Sequence, residues 1–483
     1  MLDVLITGGE VYDGSGGRAV RADVGIAGDR IAQIGPSGPE GPTAARLVID
    51  AAGKTVCPGF INILSHSKLS ILHDPRSLGE RRGTAQNVAS FIGGGTIRVN
   101  VVGYDDRPAT AAEMDRMRAL VAEEMADGAL GIASALIYSP GSYASTTELT
   151  GLCRVAAGFG GCYASHIRSE GDDLLGALTE FLQICRDASL VGEVFHLKAA
   201  GRAHRDKMDR AIGLLEQARA DGEAVTADVY PYPASSTGLT SIIPDRYHEG
   251  GANALYDRLA DPAIRAEIRS VLARSGRWGD VAEAGSVLIL QVDAEDNQKW
   301  QGRMLAEIAD ERGVDPVDAA LDLIASDRSR VGSAFFSMSE DNLRKALRCP
   351  WVAISSDGTS MAPEGAFLRA PTHPRSYGSF ARVLGHYVRE EKLLPLAEAV
   401  HRMSGLPAAT AGLRQRGLLR EGYFADVVVF DPAAIADRAT FASPHELSVG
   451  VSEVVINGQV VVSGGDFAGR LPGRALAGPG SRR

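Results

Sequence analysis

The chain has 483 residues, is 45% hydrophobic and 23% charged, and carries a formal net charge of −10. This composition supports a large folded core and excludes general disorder, and the intermingled charges lack the basic footprint of a nucleic-acid-binding protein. Scattered cysteines without a CxxC pair argue against a disulfide framework, while the lack of a signal-peptide pattern or a bilayer-length apolar run leads to the expectation of a soluble, cytoplasmic protein.

Residues 1 to about 56 read as short strands: VLITGGEVYDG, ADVGIAGDRIAQIG and RLVIDAAGKTVCPG alternate apolar and polar residues between glycine-containing turns. Strand-like and helix-like segments then alternate, with candidate strands at 57–65, 87–92, 129–137, 161–167, 192–198, 224–232, 333–338 and 351–356. Helical patterns at 111–127 and 206–220 separate some of them; Met208, Ile212, Leu215 and Ala218 recur at the spacing of one core-facing stripe. Repeated units of this kind predict an α/β fold, a (β/α)8 barrel. Residues 237 to about 300 interrupt the rhythm with Pro, Gly and Trp around one strand, SVLILQV, and read as an insertion that could lie over the strand ends. From about Gly417 the β texture returns in FADVVVFDP and EVVINGQVVVSGG, where Asn457–Gly458 predicts a hairpin. A loose Gly/Pro/Arg tail follows. The expected organisation is a small β domain built from 1–56 and 417–483, and a barrel spanning 57–416.

The stretch from Gly161 to Gly201 carries the chemistry. CYASHIR and EVFHLK each hold a histidine near the end of a strand, and the amphipathic segment 172–187 lies between them. A strand–helix–strand unit brings its two strands in parallel, so His166 and His196 should emerge together on the face where α/β barrels keep their active sites. Two neighbouring imidazoles form half of a typical zinc site. Arg168, Glu170 and Lys198 follow at the same strand ends, more charge than packing requires.

In order along the chain, PGF at 58–60, GALGIASALIYSPGSYAS, YASHIRSEG, HLKAAG, DVYPYPASS, SSDG, HPRSYGSF and ADVVVFDP resemble the D-aminoacylase family (N-acyl-D-amino-acid deacylases) of the amidohydrolase superfamily. The resemblance covers most of the chain from Pro58 onward. It implies a metal-dependent barrel with a β domain from both termini, hydrolysing an N-acyl-D-amino acid to a carboxylate and a free D-amino acid. It assigns His166 and His196 to zinc, Asp357 of SSDG to general acid–base work, and Lys198, Arg375 and Tyr230 or Tyr232 to holding the substrate.

Two departures from the family pattern stand out. Where the family has His-x-His, this chain has Leu64-Ser65-His66, leaving only His66 as a candidate ligand. The strand that would bring a metal-binding cysteine, or a glutamate in some relatives, is also missing, and Asp74 or Glu80, the carboxylates in the bridge that replaces it, is a candidate substitute ligand. A barrel lacking a strand exposes unpaired edges unless another segment fills the gap. A cyclic-amide or D-residue dipeptide hydrolase, and a catalytically impaired scaffold, therefore stay open beside the deacylase reading.

Overall fold

The structure, a computed structural model, describes residues 1–36, 44–66, 84–275 and 284–481. Asp74 and Glu80 lie outside the described residues. Both ends of the chain build one sheet, from β1 (Leu2–Val11), β2 (Val20–Ala27), β3 (Arg30–Pro36), β4 (Ala45–Asp50) and β5 (Thr55–Pro58) at the N-terminal side. Six strands form a parallel sheet: β6 (Ile92–Gly93), β7 (Gly131–Ala135), β8 (Cys162–His166), β9 (Gly192–Val194), β10 (Val225–Val229) and, after an insertion, β14 (Val352–Ile354). The insertion holds β11 (Ser235–Gly238), β12 (Val287–Gln291) and β13 (Gly332–Phe335), and the terminal sheet is completed by β15 (Val427–Phe430), β16 (Val451–Ile456), β17 (Gln459–Ser463) and β18 (Asp466–Phe467).

In the terminal sheet the order is β18-β17-β16-β15-β5-β1-β2-β3, with β4 on β1. The seam between the two chain ends is the antiparallel pair β15–β5, with Val428 opposite Cys57. Alternate residues such as Val24, Ile26, Val427 and Val429 point into one core, as the two-residue strand period requires. Ile456 pairs with Gln459 across a two-residue turn. Asn457 and Gly458 occupy it at φ 47° and 77°, the left-handed geometry that makes Asn-Gly a hairpin signal.

The parallel sheet runs β14-β10-β9-β8-β7-β6. Residues 61–66 extend it past β14, because Asp357 N–H donates to the Leu64 carbonyl (3.0 Å) and His66 N–H to that of Gly358 (2.9 Å). Leu64 also packs with Phe91, Ala164 and Phe195, which draws this segment towards the β6 side. The helices Leu174–Ala188 and Lys207–Ala220 bury Leu178, Phe181, Leu182, Met208 and Leu215 against the sheet in the largest core cluster. Among the described residues the sheet thus has seven strand positions.

Two segments differ from the sequence-based expectation. Residues 333–338 supply no barrel strand, since β13 pairs antiparallel with both β11 and β12. Leu255, Ile289, Leu305, Leu321 and Phe335 form a core around that small sheet, so the insertion runs from about 235 to 335. Apolar periodicity marks a strand but does not tell which sheet it joins. The C-terminal tail is also bound rather than loose. Val88 N–H donates to the Arg474 carbonyl (2.9 Å), Leu476 N–H to that of Val88 (2.7 Å) and Gly478 N–H to that of Gly128 (2.7 Å). The tail thereby satisfies backbone groups ahead of β6 and β7, where an exposed edge would otherwise remain.

Candidate active site

His166 closes β8 and His196 lies just beyond the neighbouring β9, so the parallel register brings their rings to 4.4 Å, edge to face. His196 adopts φ 40°, a left-handed conformation uncommon outside glycine. Asp228 of β10 holds that turn in place: its Oδ1 accepts the His196 N–H at 3.1 Å and the Ser355 hydroxyl at 2.5 Å. One buried carboxylate therefore ties the strand end bearing His196 to the strand end leading to Asp357.

Glu170 enters from the loop after β8. Its Oε1 lies 2.9 Å from His196 Nδ1 and 2.6 Å from Lys198 Nζ, and its Oε2 lies 3.4 Å from His166 Nε2. Lys198 also approaches His196 Nδ1 at 2.9 Å. Burial pushes the His166 imidazole down to about 3, so it is neutral near pH 7. Its Nε2 is buried and has no hydrogen-bond partner. Burial alone would raise the Glu170 carboxyl, but with His166 neutral the Lys198 ammonium and the His196 hydrogen bond still outweigh it and hold the group below the usual carboxylate range. Ligand atoms of His166, Glu170 and His196 all lie within 4.8 Å of one another. A neutral imidazole with an unused lone pair beside an ionised carboxylate is a donor set that fits a divalent cation.

Across the site, Asp357 sits at φ 47° just past β14. Its Oδ2 lies 2.7 Å from Arg375 Nη1 and its Oδ1 2.9 Å from His66 Nε2. Asp357 and Arg375 are both buried, whereas the His66 side chain is 60% exposed. Burial would raise the Asp357 carboxyl, but the Arg375 charge and the His66 hydrogen bond hold it well below its ordinary value. Arg375 is fixed in turn by its Nη2 on the Ser236 carbonyl (3.3 Å) and by its N–H on His373 Nδ1 (3.0 Å).

Tyr230 joins the two halves. Its ring lies 4.7 Å from the Arg375 guanidinium, 5.9 Å from Lys198 Nζ and 6.3 Å from the His196 ring. The hydroxyl is donated to Met338 Sδ at 3.3 Å. Tyr232 is turned away, with its hydroxyl on Asp437. The Tyr138 ring lies 5.7 Å from His166, tilted at 57°, and its hydroxyl shares a hydrogen bond with Thr237 of β11, so the insertion forms one wall. The structure thus gathers His66, His166, His196, Lys198, Tyr230, Asp357 and Arg375 in one region. Leu64 is 5% exposed in an apolar cluster and offers no ligand. Sequence reasoning noted Glu170 only as charge at a strand end and gave it no ligand role, because its loop carries no periodicity that would aim it at His166. Asp228 reads in the sequence as a strand-end cap or a metal contact, and its bridge between His196 and Ser355 depends on three strands meeting.

A model of the amidohydrolase family matches residues 248–462. The chain is 33% identical to D-aminoacylase of Alcaligenes xylosoxydans, over 98% of this chain and 97% of that protein. It is also 33% identical to the N-acyl-D-glutamate deacylase of the same organism, over 98% and 96%. Its fold superposes on the crystal structure of N-acyl-D-glutamate deacylase from Bordetella bronchiseptica, complexed with zinc and a phosphonate mimic of the tetrahedral intermediate. The TM-score is 0.81, with 31% identity and 99% of both chains covered.

Proposed function

Because this chain belongs to the D-aminoacylase family of amidohydrolases, hydrolytic enzymes acting on amide bonds, we propose that it cleaves N-acyl-D-amino acids to a carboxylate and a free D-amino acid, with zinc as cofactor. One observation carries the reading: an unpartnered buried imidazole nitrogen on His166 faces Glu170 and His196, with the Asp357–Arg375 pair across Tyr230. His166 and His196 are the principal zinc ligands in this reading, with His66 a further candidate on the Asp357 side. When bound, zinc polarises the amide carbonyl and lowers the pKa of a water to about 7.

Asp357 accepts the proton released by the attacking water and passes it to the departing amide nitrogen. The Arg375 charge and the His66 hydrogen bond keep it ionised in the unliganded site, and it gains basicity as Arg375 turns to the substrate's carboxylate. Arg375 and Lys198 are the cations for the substrate's α-carboxylate, since guanidinium and ammonium donate charge-assisted hydrogen bonds. Tyr230 supports them through its ring face, its hydroxyl being engaged by Met338. A substrate carboxylate at Arg375 would bring the scissile amide close to Asp357, which Arg375 already touches.

Metal analysis of the purified protein, followed by release of D-amino acid from N-acyl-D- and N-acyl-L-amino acids, tests the proposal. Zinc bound in wild type, its loss in both His166→Ala and His196→Ala, and turnover confined to the D series are expected. Zinc content unchanged in both variants would overturn the ligand assignment. Zinc-loaded wild type without turnover on any N-acyl-D-amino acid would identify the chain as a binding scaffold.

A further inference from the structure

We infer that Glu170 is itself a metal ligand, completing a His166–Glu170–His196 set in which a carboxylate rather than a thiolate supplies the negative charge. This rests on the metal-dependent reading above. A divalent ion held only by neutral imidazoles would leave an uncompensated charge in a buried site, and the cost of that falls steeply when an anion joins the coordination shell.

The structure offers few anions for the task. All five cysteines are buried. None belongs to a candidate ligand cluster among the described residues, and burial keeps the thiols protonated, raising Cys162 to about 12 and Cys349 to about 11. Asp357 is clamped between Arg375 and His66, and Asp228, whose Oδ1 holds the His196 N–H and the Ser355 hydroxyl, does not fall within the cluster of ligand atoms around the two histidines. Among the described residues, Glu170 alone places one oxygen towards the unpartnered His166 nitrogen, at 3.4 Å, and the other towards His196, at 2.9 Å. Lys198, 2.6 Å from Oε1, balances the carboxylate in this structure. An ion between the two histidines and Glu170 takes over that balance and frees the ammonium to meet an anionic substrate.

Cobalt(II) uptake by the full-length protein tests the inference without recourse to activity. Affinity is measured by chelator competition in wild type, Glu170→Gln and Glu170→Cys, with circular dichroism of the metal-free proteins confirming the fold. Glu170→Gln should weaken cobalt binding by at least about 10- to 100-fold, since even outer-shell losses cost that much. Glu170→Cys should acquire a near-ultraviolet sulfur-to-cobalt charge-transfer band that wild type lacks. The double variant Glu170→Gln/Lys198→Met separates a ligand from a mere counter-ion. A ligand leaves the double variant as weak as Glu170→Gln, whereas restored affinity would show that Glu170 only balances Lys198 and would overturn the inference. Unchanged affinity in Glu170→Gln together with no new band in Glu170→Cys would overturn it as well. Wild type that takes up no metal would instead refute the metal-dependent reading.

Discussion

Replacing Asp357 with asparagine removes a base and a buried counter-ion together, and the two effects can be separated. Asp357 and Arg375 expose 8% and 6% of their side chains and meet at 2.7 Å. Breaking such a pair leaves the guanidinium buried without an anion and costs about 3–5 kcal/mol, whereas replacing both partners by apolar groups is often close to neutral. Asp357→Asn should therefore lower the stability of the metal-free protein by about 3–5 kcal/mol, and Asp357→Asn/Arg375→Met should recover most of that loss. Turnover behaves differently. The asparagine amide cannot accept the proton, so kcat on an N-acyl-D-amino acid should fall about 10²–10⁴-fold. The double variant should not regain it. Urea unfolding followed by circular dichroism gives the first quantity, and D-amino acid release by the zinc-loaded protein gives the second. Near-normal turnover by Asp357→Asn would refute the acid–base role. Recovery of rate in the double variant would show that the loss came from the stranded arginine.

Arg375→Ala should reduce kcat/KM by about 10- to 150-fold, the loss of one charge-assisted hydrogen bond worth about 1.5–3 kcal/mol. Because Arg375→Ala also strands the Asp357 carboxylate it meets at 2.7 Å, an N-acyl amine without the carboxylate, a poor substrate for wild type, should lose less than the N-acyl-D-amino acid; equal losses on both substrates would show that Arg375 acts through Asp357 or its loop and not on the substrate. Asp228→Ala leaves the His196 N–H and the Ser355 hydroxyl without their acceptor, at about 1–3 kcal/mol for each unpaired donor, and should lower zinc affinity along with stability; unchanged zinc affinity would deny that Asp228 sets the His196 turn. The His166 pKa is depressed to about 3 by burial against about 6.5 in an unfolded chain, so the unfolded state binds more protons between those values. His166 thus contributes stability to the metal-free protein above about pH 6.5, and this is lost as the pH falls towards 3; His166→Gln should flatten that part of the stability profile, and an unchanged slope would count against a neutral buried imidazole.

Local sequence patterns determined much of this protein. Strand-ending histidines one crossover unit apart had to emerge as neighbours, because parallel strands joined by a helix share their direction, and the rings do stand 4.4 Å apart. Asn457–Gly458 settled its turn through left-handed backbone alone, and the alternation in the terminal segments marked residues that share one core. Features that depend on which segments meet were not written locally. Residues 333–338 look like any strand until β11 and β12 claim both their edges, and the tail reads as loose until Val88 pairs with Arg474 and Leu476. Arg375 reads as a substrate clamp in sequence, yet in the fold its first partner is Asp357. Glu170 becomes a candidate ligand only when β8 and β9 set their histidines on either side of it. Charge pairing is fixed by distances of a few ångströms between residues far apart in the chain, and those distances come into being only when the strand ends of the parallel sheet are brought side by side.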